Sequence, residues 1–374
     1  MEKRILIVRK YGGYGGIEHQ IESISVGLQG KGWEVFFLSD QQSPLSEYLE
    51  AKGVRIYYSP FNSISGIARV ICKICKEHEI GLIQSHMLKE SFYCRCAKAL
   101  MPSLKHVFRV HTYIDCAHIS ELKKKCYHAV SKATDFLVDR YISINEYNVQ
   151  EMCRRTKIPR SKIAVVHDAV RELEKPSQTC PYKNGSIAMI ANFVDFKGHD
   201  VLLAGMKLLK EQGYSFVVHL IGSVPGYRTP YEDHRRLNIV KQTIQDYHLE
   251  ENVIVCGHSN NIAQAVSECG MIVLPSDSEG TPNVLLEGML LEKIVIASAV
   301  GGVPEFVFDG TTGFVHKPKD GADFAKALLR AYNTPEEELS EISKRAKELI
   351  LRQYSRQSVI QGLIIEYHCL GSFV

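Results

Sequence analysis

The sequence predicts an α/β protein built from two Rossmann-like, doubly wound parallel-sheet domains, and three observations support this fold class. Short apolar segments alternate with helical stretches along nearly the whole chain, which is typical of parallel sheets with helices on both faces. The polar segment 173–185 interrupts this alternation, contains Pro176, Pro181 and Gly185, and is therefore predicted to be a linker. A chain of 374 residues, 45% of them hydrophobic, is long enough for two cores.

The predicted strands divide between the two domains. Those of the N-terminal domain, over 1–172, are 5–8, 35–38, 54–58, 82–84, 107–110, 141–144 and 163–166. Those of the C-terminal domain, over 186–353, are 187–190, 216–221, 253–255, 271–274 and 294–297. The segment 354–374 is predicted to form a final amphipathic helix. Because such sheets bind ligands at the carboxyl ends of their strands, we expect the two domains to face each other across a cleft.

Composition excludes several classes of protein. No apolar run approaches the ~18 residues that a transmembrane helix needs, and the first apolar segment is too short for a signal peptide. The 11 cysteines are scattered, and we expect them to stay reduced in the cytoplasm. Cys72 and Cys75 lie in a predicted helix without a second pair nearby, which favours core packing over zinc binding. No metal and no cofactor are expected.

Basic residues are concentrated in the N-terminal half. The net charge is only +3, yet residues 1–180 contain 27 Lys and Arg against 19 Asp and Glu. The main clusters are 123–125 and 154–162. These clusters could give peripheral contact with an anionic membrane or bind a phosphorylated acceptor, or they could be solvated helix faces, and the sequence leaves these interpretations open. No nucleic-acid partner is expected.

The segment 271–305 carries the strongest signal for a binding site. The predicted strands 271–274 and 294–297 enclose a helix with Thr281 as its N-cap and Pro282 at its first position. The N–H groups of residues 283–285 would then be free. A helix N-terminus beside the carboxyl end of a parallel strand favours an anion, so we expect a phosphate there.

Two carboxylates flank this helix start. Glu279 precedes it and Glu287 lies about one and a half turns into it. Since a carboxylate repels a phosphate, both are expected to bind hydroxyl groups instead. A nucleotide sugar has a diphosphate between two polyhydroxylated rings and fits this layout. The alternative is a capped helix with two solvated glutamates.

The motif E-G-T-P-N-V-L-L-E over 279–287, followed by G-G-V-P-E over 301–305, resembles the signature of GT4-type retaining glycosyltransferases of the GT-B fold. The resemblance implies that Glu287 binds the ribose hydroxyls and that Glu279 binds the donor sugar. It assigns the donor diphosphate to the backbone near Asn283 and Val284, and Gly280 and Pro282 are further donor-binding candidates. It also implies that the last helix returns to pack on the first domain.

A glycine-rich turn follows the first strand. Gly13 and Gly15, with Asp40 after the second strand, fit half of a dinucleotide-binding fingerprint, but Glu18 occupies the third glycine position. The resemblance accounts for more of the segment, because Gly15, Gly16 and Glu18 match a G-G-x-E pattern whose glycine faces the donor phosphate. Glu18 is a weaker candidate for the acceptor side. A plain tight turn is the alternative.

Two histidines are candidates in the first domain. His111 ends a predicted strand and should project from the carboxyl edge of the sheet. The resemblance implies a catalytic position for His111 close to the donor sugar, whereas His86, at the end of the preceding strand, could face the acceptor. A single histidine is more often structural.

Three further positions are assigned in the second domain. The resemblance implies that Lys197 neutralises the leaving diphosphate, and Lys197 and Glu279 are therefore predicted to be catalytic. The family pairs this lysine with an arginine, but Asn192, a donor-site candidate, and Val194 stand where it would be expected. Gly257 and His258 follow a strand that matches the segment reading the nucleotide base.

These features predict a retaining glycosyltransferase that moves a hexose-type sugar from a nucleoside diphosphate sugar, with a UDP-sugar as the commonest case. The expected acceptor is a glycan, a lipid-linked intermediate or a polysaccharide. Two alternatives are a sugar-nucleotide epimerase on a similar scaffold and a weakly active nucleotide-sugar binding protein.

Overall fold

The computed structural model describes residues 3–11, 15–111, 120–173, 180–225 and 233–371. Gly13 and the part 174–179 of the predicted linker lie outside the described residues. The chain divides into two units, one formed by 1–171 with 353–374 and the other by 172–352. Each unit is built around one parallel sheet.

The first unit has a seven-stranded sheet with the order β3-β2-β1-β4-β5-β6-β7. Its strands are β1 (Arg4–Val8), β2 (Glu34–Ser39), β3 (Arg55–Tyr58), β4 (Leu82–Ser85), β5 (Lys105–Val110), β6 (Arg140–Ser143) and β7 (Ile163–Val165). All neighbouring strands pair in parallel. The strand order reverses between β1 and β4, and the loops after these two strands therefore diverge at the carboxyl edge, where such sheets bind ligands.

Helices cover both faces of this sheet. They are α1 (Gly16–Gln29), α2 (Pro44–Ala51), α3 (Ile64–Glu77), α4 (Leu88–Leu100), α5 (Glu121–Ala133) and α6 (Glu146–Thr156). Successive side chains of β1 point to opposite faces: Ile5 packs in the core with Ile21 of α1, while Leu6 packs in the core with Ile71 of α3. Cys75 belongs to the second of these cores and is fully buried.

The second unit has a six-stranded sheet with the order β10-β9-β8-β11-β12-β13. Its strands are β8 (Ser186–Ile190), β9 (Val217–Ile221), β10 (Val253–Gly257), β11 (Met271–Leu274), β12 (Ile294–Ser298) and β13 (Phe314–His316). The helices are α7 (His199–Glu211), α8 (Arg235–Asp246), α9 (Ile262–Ala265), α10 (Asn283–Leu290), α11 (Gly321–Asn333) and α12 (Glu336–Gln353). The strand order reverses between β8 and β11. Strand β13 was not predicted, because three residues are too few to show a period.

The last helix, α13 (Arg356–Cys369), belongs to the first unit. The amide of Val170 donates to the carbonyl of Tyr354 just before this helix begins. Ile360 packs so closely on α1 that a Cβ atom at Gly27 would lie 2.4 Å from its Cγ1. The absence of a side chain at Gly27 therefore allows α1 and α13 to touch. None of the described helices is both long and apolar enough to cross a membrane.

Candidate functional site

Lys197 and Glu279 form an ion pair at the point where the second sheet reverses its strand order. Lys197 lies in the loop after β8 and Glu279 in the loop after β11, so the two loops start from neighbouring strands. Lys197 Nζ donates to Glu279 Oε1 over 2.7 Å, and Ser276 Oγ donates to the same oxygen over 2.6 Å. Among the described residues, no donor contacts Glu279 Oε2. The pair therefore offers one free carboxylate oxygen and one ammonium group side by side.

A glycine contact holds these two loops together. Gly198 has φ +76°, and a Cβ atom there would lie 1.8 Å from the carbonyl oxygen of Pro275. The amide of Asp277 donates to the carbonyl of Phe196 over 2.8 Å. Only glycine tolerates both the left-handed backbone and this close approach. Lys197 is thus fixed against the Glu279 loop by the backbone as well as by its own charge.

The G-G-V-P-E segment supports the same loop from the other side. Gly301 has φ +54°, and a Cβ atom at this position would lie 1.8 Å from the carbonyl oxygen of Glu279. The amide of Gly302 donates to the carbonyl of Gly280 over 2.9 Å. The two sequence motifs therefore form one structural unit around Glu279.

Helix α10 begins one residue later than the sequence analysis predicted. Its N-cap is Pro282 and not Thr281, and its first helical residue is Asn283. The amide of Leu285 donates to the carbonyl of Pro282 over 3.1 Å, so the prediction that this amide is free was wrong. The predicted phosphate contacts thus reduce to the amides of Asn283 and Val284, at the positive end of the helix dipole. Glu287, one turn further on, is only 3% exposed.

The cations around Lys197 differ from those the family pattern implies. Asn192, where an arginine was expected, is exposed, and its Oδ1 accepts a hydrogen bond from Ser223 Oγ over 2.9 Å. Two arginines at the start of α8 reach the same loop region instead. Arg235 lies 2.7 Å from Asp195, and Arg236 lies 2.8 Å from Asp200. Each of these arginines is paired with a carboxylate.

Gly257 and His258 lie at the carboxyl end of β10, as their assignment to the nucleotide base requires. Gly257 has φ +77°, and its carbonyl accepts the amide of Gly222 over 2.8 Å. His258 is exposed, and its Nε2 lies 2.8 Å from Oδ1 of Asn260. The contact of these two residues with a base stays a prediction.

In the first unit, Glu18 is buried in an ion pair. Arg9 donates to its Oε1 over 2.7 Å, and the amide of Gly15 donates to its Oε2 over 3.1 Å. Arg9 also contacts Glu90 at 3.2 Å. Gly15 is the N-cap of α1 and Gly16 is its first residue. Glu18 thus binds the N-cap residue of α1, and its predicted role toward the acceptor stays a prediction.

His86 and His111 lie together at the carboxyl edge of the first sheet. His86 Nδ1 is 2.9 Å from His111 Nε2, and His111 Nδ1 is 3.4 Å from Oδ2 of Asp168. Arg109 donates to the other oxygen of Asp168 over 2.9 Å. His86 is fully buried and His111 is 5% exposed, so both ring nitrogens of His111 face protein partners.

The charges in this group follow from burial and pairing. Burial, and then the neighbouring His111, Arg109 and Arg9, lowers the pKa of His86 well below its ordinary value. Burial acts to raise the pKa of Asp168, but His111 and Arg109 outweigh it and lower this pKa to about 2. His86 is therefore neutral and Asp168 is an anion at neutral pH.

Two family models match adjoining parts of the chain. The model described as glycosyltransferase family 4 matches residues 14–172, and the model described as glycosyl transferases group 1 matches residues 170–349. The chain belongs to the GT4-type glycosyltransferases. The family predicted from the 279–305 motifs is therefore confirmed.

Known relatives agree with this assignment. Glycosyltransferase WcaL of Escherichia coli K12, which its name assigns provisionally to colanic acid biosynthesis, is 27% identical over 219 residues. That match spans 56% of this chain and about half, 51%, of WcaL. The uncharacterized glycosyltransferase MJ1178 of Methanocaldococcus jannaschii is 25% identical over 359 residues, which is 93% of each chain. The solved structure of Anabaena HepE in complex with UDP matches with a TM-score of 0.83 and 16% identity, covering 99% of this chain and 100% of that one. The predicted GT-B fold of two parallel-sheet domains is thus confirmed.

Several residues of this glycosyltransferase site escaped the sequence analysis. Ser276 shares an oxygen of Glu279 with Lys197, and its place three residues before Glu279 was the only available signal. Arg9 and Asp168 lie just after strands of the first sheet and Arg109 lies within β5, but a single charged residue in such a place is too common to be informative.

Proposed function

We propose that this glycosyltransferase moves a hexose-type sugar from a UDP-sugar to a glycan, lipid-linked or polysaccharide acceptor with retention of configuration. The observation that carries the proposal is the contact between Lys197 and Glu279 beside the start of α10. This contact places a cation that can bind a diphosphate next to a carboxylate that can bind sugar hydroxyls. A site that breaks the bond between a sugar and its leaving phosphate needs both groups. The UDP in the HepE complex and the colanic acid biosynthesis in the name of WcaL support the donor and acceptor classes.

Lys197 can serve both partners at once. An ammonium group has three N–H donors, and Glu279 occupies one of them. The other two can bind diphosphate oxygens, together with the amides of Asn283 and Val284. Oε2 of Glu279 then accepts a hydroxyl of the donor sugar, and Glu287 accepts the ribose hydroxyls. The backbone at Gly280 and Pro282 and the residues Gly257 and His258 complete the proposed donor contacts.

Catalysis rests in this proposal on leaving-group stabilisation. As the bond to the sugar breaks, negative charge grows on the diphosphate next to Lys197 and the positive end of α10. The departing diphosphate accepts the acceptor's proton on the same face of an oxocarbenium-like sugar, which gives retention. His111 is proposed to contact the donor sugar, while His86 and Glu18 belong to the acceptor side.

Donor binding and Lys197→Ala test this proposal. A UDP-sugar at 100 times its dissociation constant should stabilise the protein by about 2.7 kcal/mol, and GDP- and ADP-sugars should stabilise it less. Lys197→Ala should lower kcat for donor hydrolysis far more than it raises the dissociation constant for UDP. Lys207→Ala, which removes an exposed lysine of α7, is the matched control. An isomerised UDP-sugar without transfer would indicate an epimerase, and equal kcat in the two variants would refute the role of Lys197.

A further inference from the structure

A continuous series of hydrogen bonds runs from the C-terminal helix to His111. Tyr367 of α13 donates its hydroxyl proton to Oε1 of Gln84 over 2.5 Å, and Nε2 of Gln84 lies 2.8 Å from Nε2 of His86. His86 and His111 are stacked, with ring centroids 5.2 Å apart. We propose that Tyr367, Gln84 and His86 are positioning residues that hold His111 in one neutral tautomer, with its proton on Nδ1. The proposal rests on the role proposed above for His111 in the transfer reaction.

The direction of every bond follows from the donor and acceptor properties of the groups. The amide nitrogen of Gln84 can only donate, so Nε2 of His86 must accept. The single proton of neutral His86 is then on Nδ1 and is donated to Nε2 of His111. His111 accepts at Nε2 and therefore carries its own proton on Nδ1, which faces the anionic Oδ2 of Asp168.

Tyr367 determines the orientation of the Gln84 amide at one end of this series. If the amide of Gln84 were turned over, its oxygen would face His86 and every bond toward His111 would reverse. The NH₂ group would then face the Tyr367 hydroxyl, whose proton would lose its acceptor. Tyr367 is fully buried, and Gln84 is its only hydrogen-bond partner among the described residues. A buried O–H group without an acceptor is unfavourable, so Tyr367 selects the observed orientation.

The tautomer has a consequence for the proposed reaction. An imidazole that accepts at Nε2 adds no positive charge beside a sugar that becomes cationic in the transition state. Tyr367 is itself fixed by its position in α13 and by its ring, which lies 5.4 Å from that of Trp33. The last helix of the chain therefore contributes a positioning residue although it lies 283 positions from Gln84 in the sequence.

NMR of ¹⁵N-histidine-labelled protein tests the proposal without any substrate. Wild type at neutral pH should show His111 with a protonated Nδ1 and an unprotonated Nε2, assigned by loss of the signal in His111→Gln. In Tyr367→Phe, Gln84 can turn over, and the signals of His86 and His111 should shift toward a mixture of tautomers. In Gln84→Glu, both side-chain oxygens accept, so His86 must donate from Nε2 and His111 should become protonated on Nε2. Tyr57→Phe is the matched control. Tyr57 lies on β3, the outer strand of the same sheet, and the change removes a hydroxyl that is bonded to the imidazole of His78.

Activity provides the second readout. Tyr367→Phe should lower kcat for donor hydrolysis by about tenfold, which is ~1.4 kcal/mol in barrier height, with the KM for the donor unchanged. Unaltered histidine signals in both Tyr367→Phe and Gln84→Glu, or a wild-type His111 protonated on Nε2, would overturn the proposal. Full activity of His111→Gln with the expected wild-type tautomer would refute the proposed role of His111 and leave the hydrogen-bond series standing.

Discussion

Lys197, Ser276 and Glu279 show how single residues define the proposed donor site. One carboxylate oxygen of Glu279 accepts from both neighbours, so the side chain is held in place by a charge and a hydroxyl. The other oxygen is left for a ligand hydroxyl. A carboxylate fixed in this way binds a sugar without the entropic cost of ordering its own side chain.

Glu287→Ala should weaken the binding of UDP by about tenfold to a hundredfold. A ribose bound to a carboxylate through charge-assisted hydrogen bonds gains roughly 1.5 to 3 kcal/mol, and alanine removes this gain. Isothermal titration calorimetry measures the dissociation constant directly. Glu211→Ala, which removes an exposed carboxylate from α7, should leave it unchanged. The same dissociation constant in wild type and Glu287→Ala would rule out a ribose contact.

Gly301→Ala should lower both stability and donor affinity. Alanine in the left-handed region costs roughly 1 to 2 kcal/mol, and its Cβ would also collide with the carbonyl of Glu279, forcing that loop to move. Gly310 has φ +68° and no atom within 4 Å of a Cβ built on it, so Gly310→Ala isolates the backbone cost. Gly301→Ala should lose more stability than Gly310→Ala in urea unfolding, because the collision adds to the backbone cost, and only Gly301→Ala should bind UDP more weakly. Equal donor affinity in the two variants would argue against the contact with Glu279.

Glu279 and Glu287 could be proposed as donor-site residues from the sequence, because they lie within one short motif beside a recognisable helix start. The residues in the hydrogen-bond series that leads to His111 could not be predicted from the sequence. Gln84 and Tyr367 are joined by tertiary packing across 283 positions, and no spacing rule connects them. The same holds for Arg9, which follows β1 and binds Glu18 of α1 through a tertiary contact.

At the scale of elements, the two basic clusters found in the sequence lie on different helices. The cluster 123–125 belongs to α5, and the cluster 154–162 begins at the end of α6. In the cluster 154–162, four of the five basic residues are paired with carboxylates: Arg154 and Arg155 with Glu151, Arg160 with Glu146, and Lys162 with Asp135. The surface of α5 is different, because Lys123 and Lys125 are exposed beside Leu122, which is 73% exposed. Such a combination of basic and apolar groups suits an anionic lipid surface.

Lys123→Glu with Lys125→Glu should therefore weaken binding to anionic vesicles. Each basic residue near such a surface contributes about 1 kcal/mol, so loss of two lowers the partition coefficient by about thirtyfold or more. The double change Lys241→Glu and Lys326→Glu alters the net charge equally in the second unit and is the control. Co-sedimentation at low and physiological ionic strength measures the effect. Equal recovery of wild type with neutral and anionic vesicles would mean that α5 is a solvated face.

Element boundaries were less predictable than element types. Thr281 and Pro282 were an apt pair of helix-start residues, yet α10 begins after Pro282, because the local turn places proline at the cap. The residue at which a helix begins depends on one or two backbone angles. Neighbouring loops, such as the one around Gly301, determine these angles.

At the scale of the whole molecule, the alternation of apolar and helical segments was sufficient to predict two parallel sheets. The periodicity of apolar residues shows which side chains of a strand are buried. A strand that is buried on both faces is seen in the sequence as an uninterrupted apolar segment. Periodicity does not report strand order, which in this chain places the loops of Lys197 and Glu279 on neighbouring strands. The donor site proposed for the second unit depends on this neighbourhood of the two strands.

The anomeric configuration of the released sugar tests the central claim most directly. Wild type incubated with a UDP-α-sugar should transfer the sugar slowly to water, and proton NMR before mutarotation can follow the first product. Retention by a diphosphate held at Lys197 and the start of α10 predicts that the α anomer appears first. A β anomer as the first product would contradict the retaining mechanism and the proposed roles of Lys197 and Glu279.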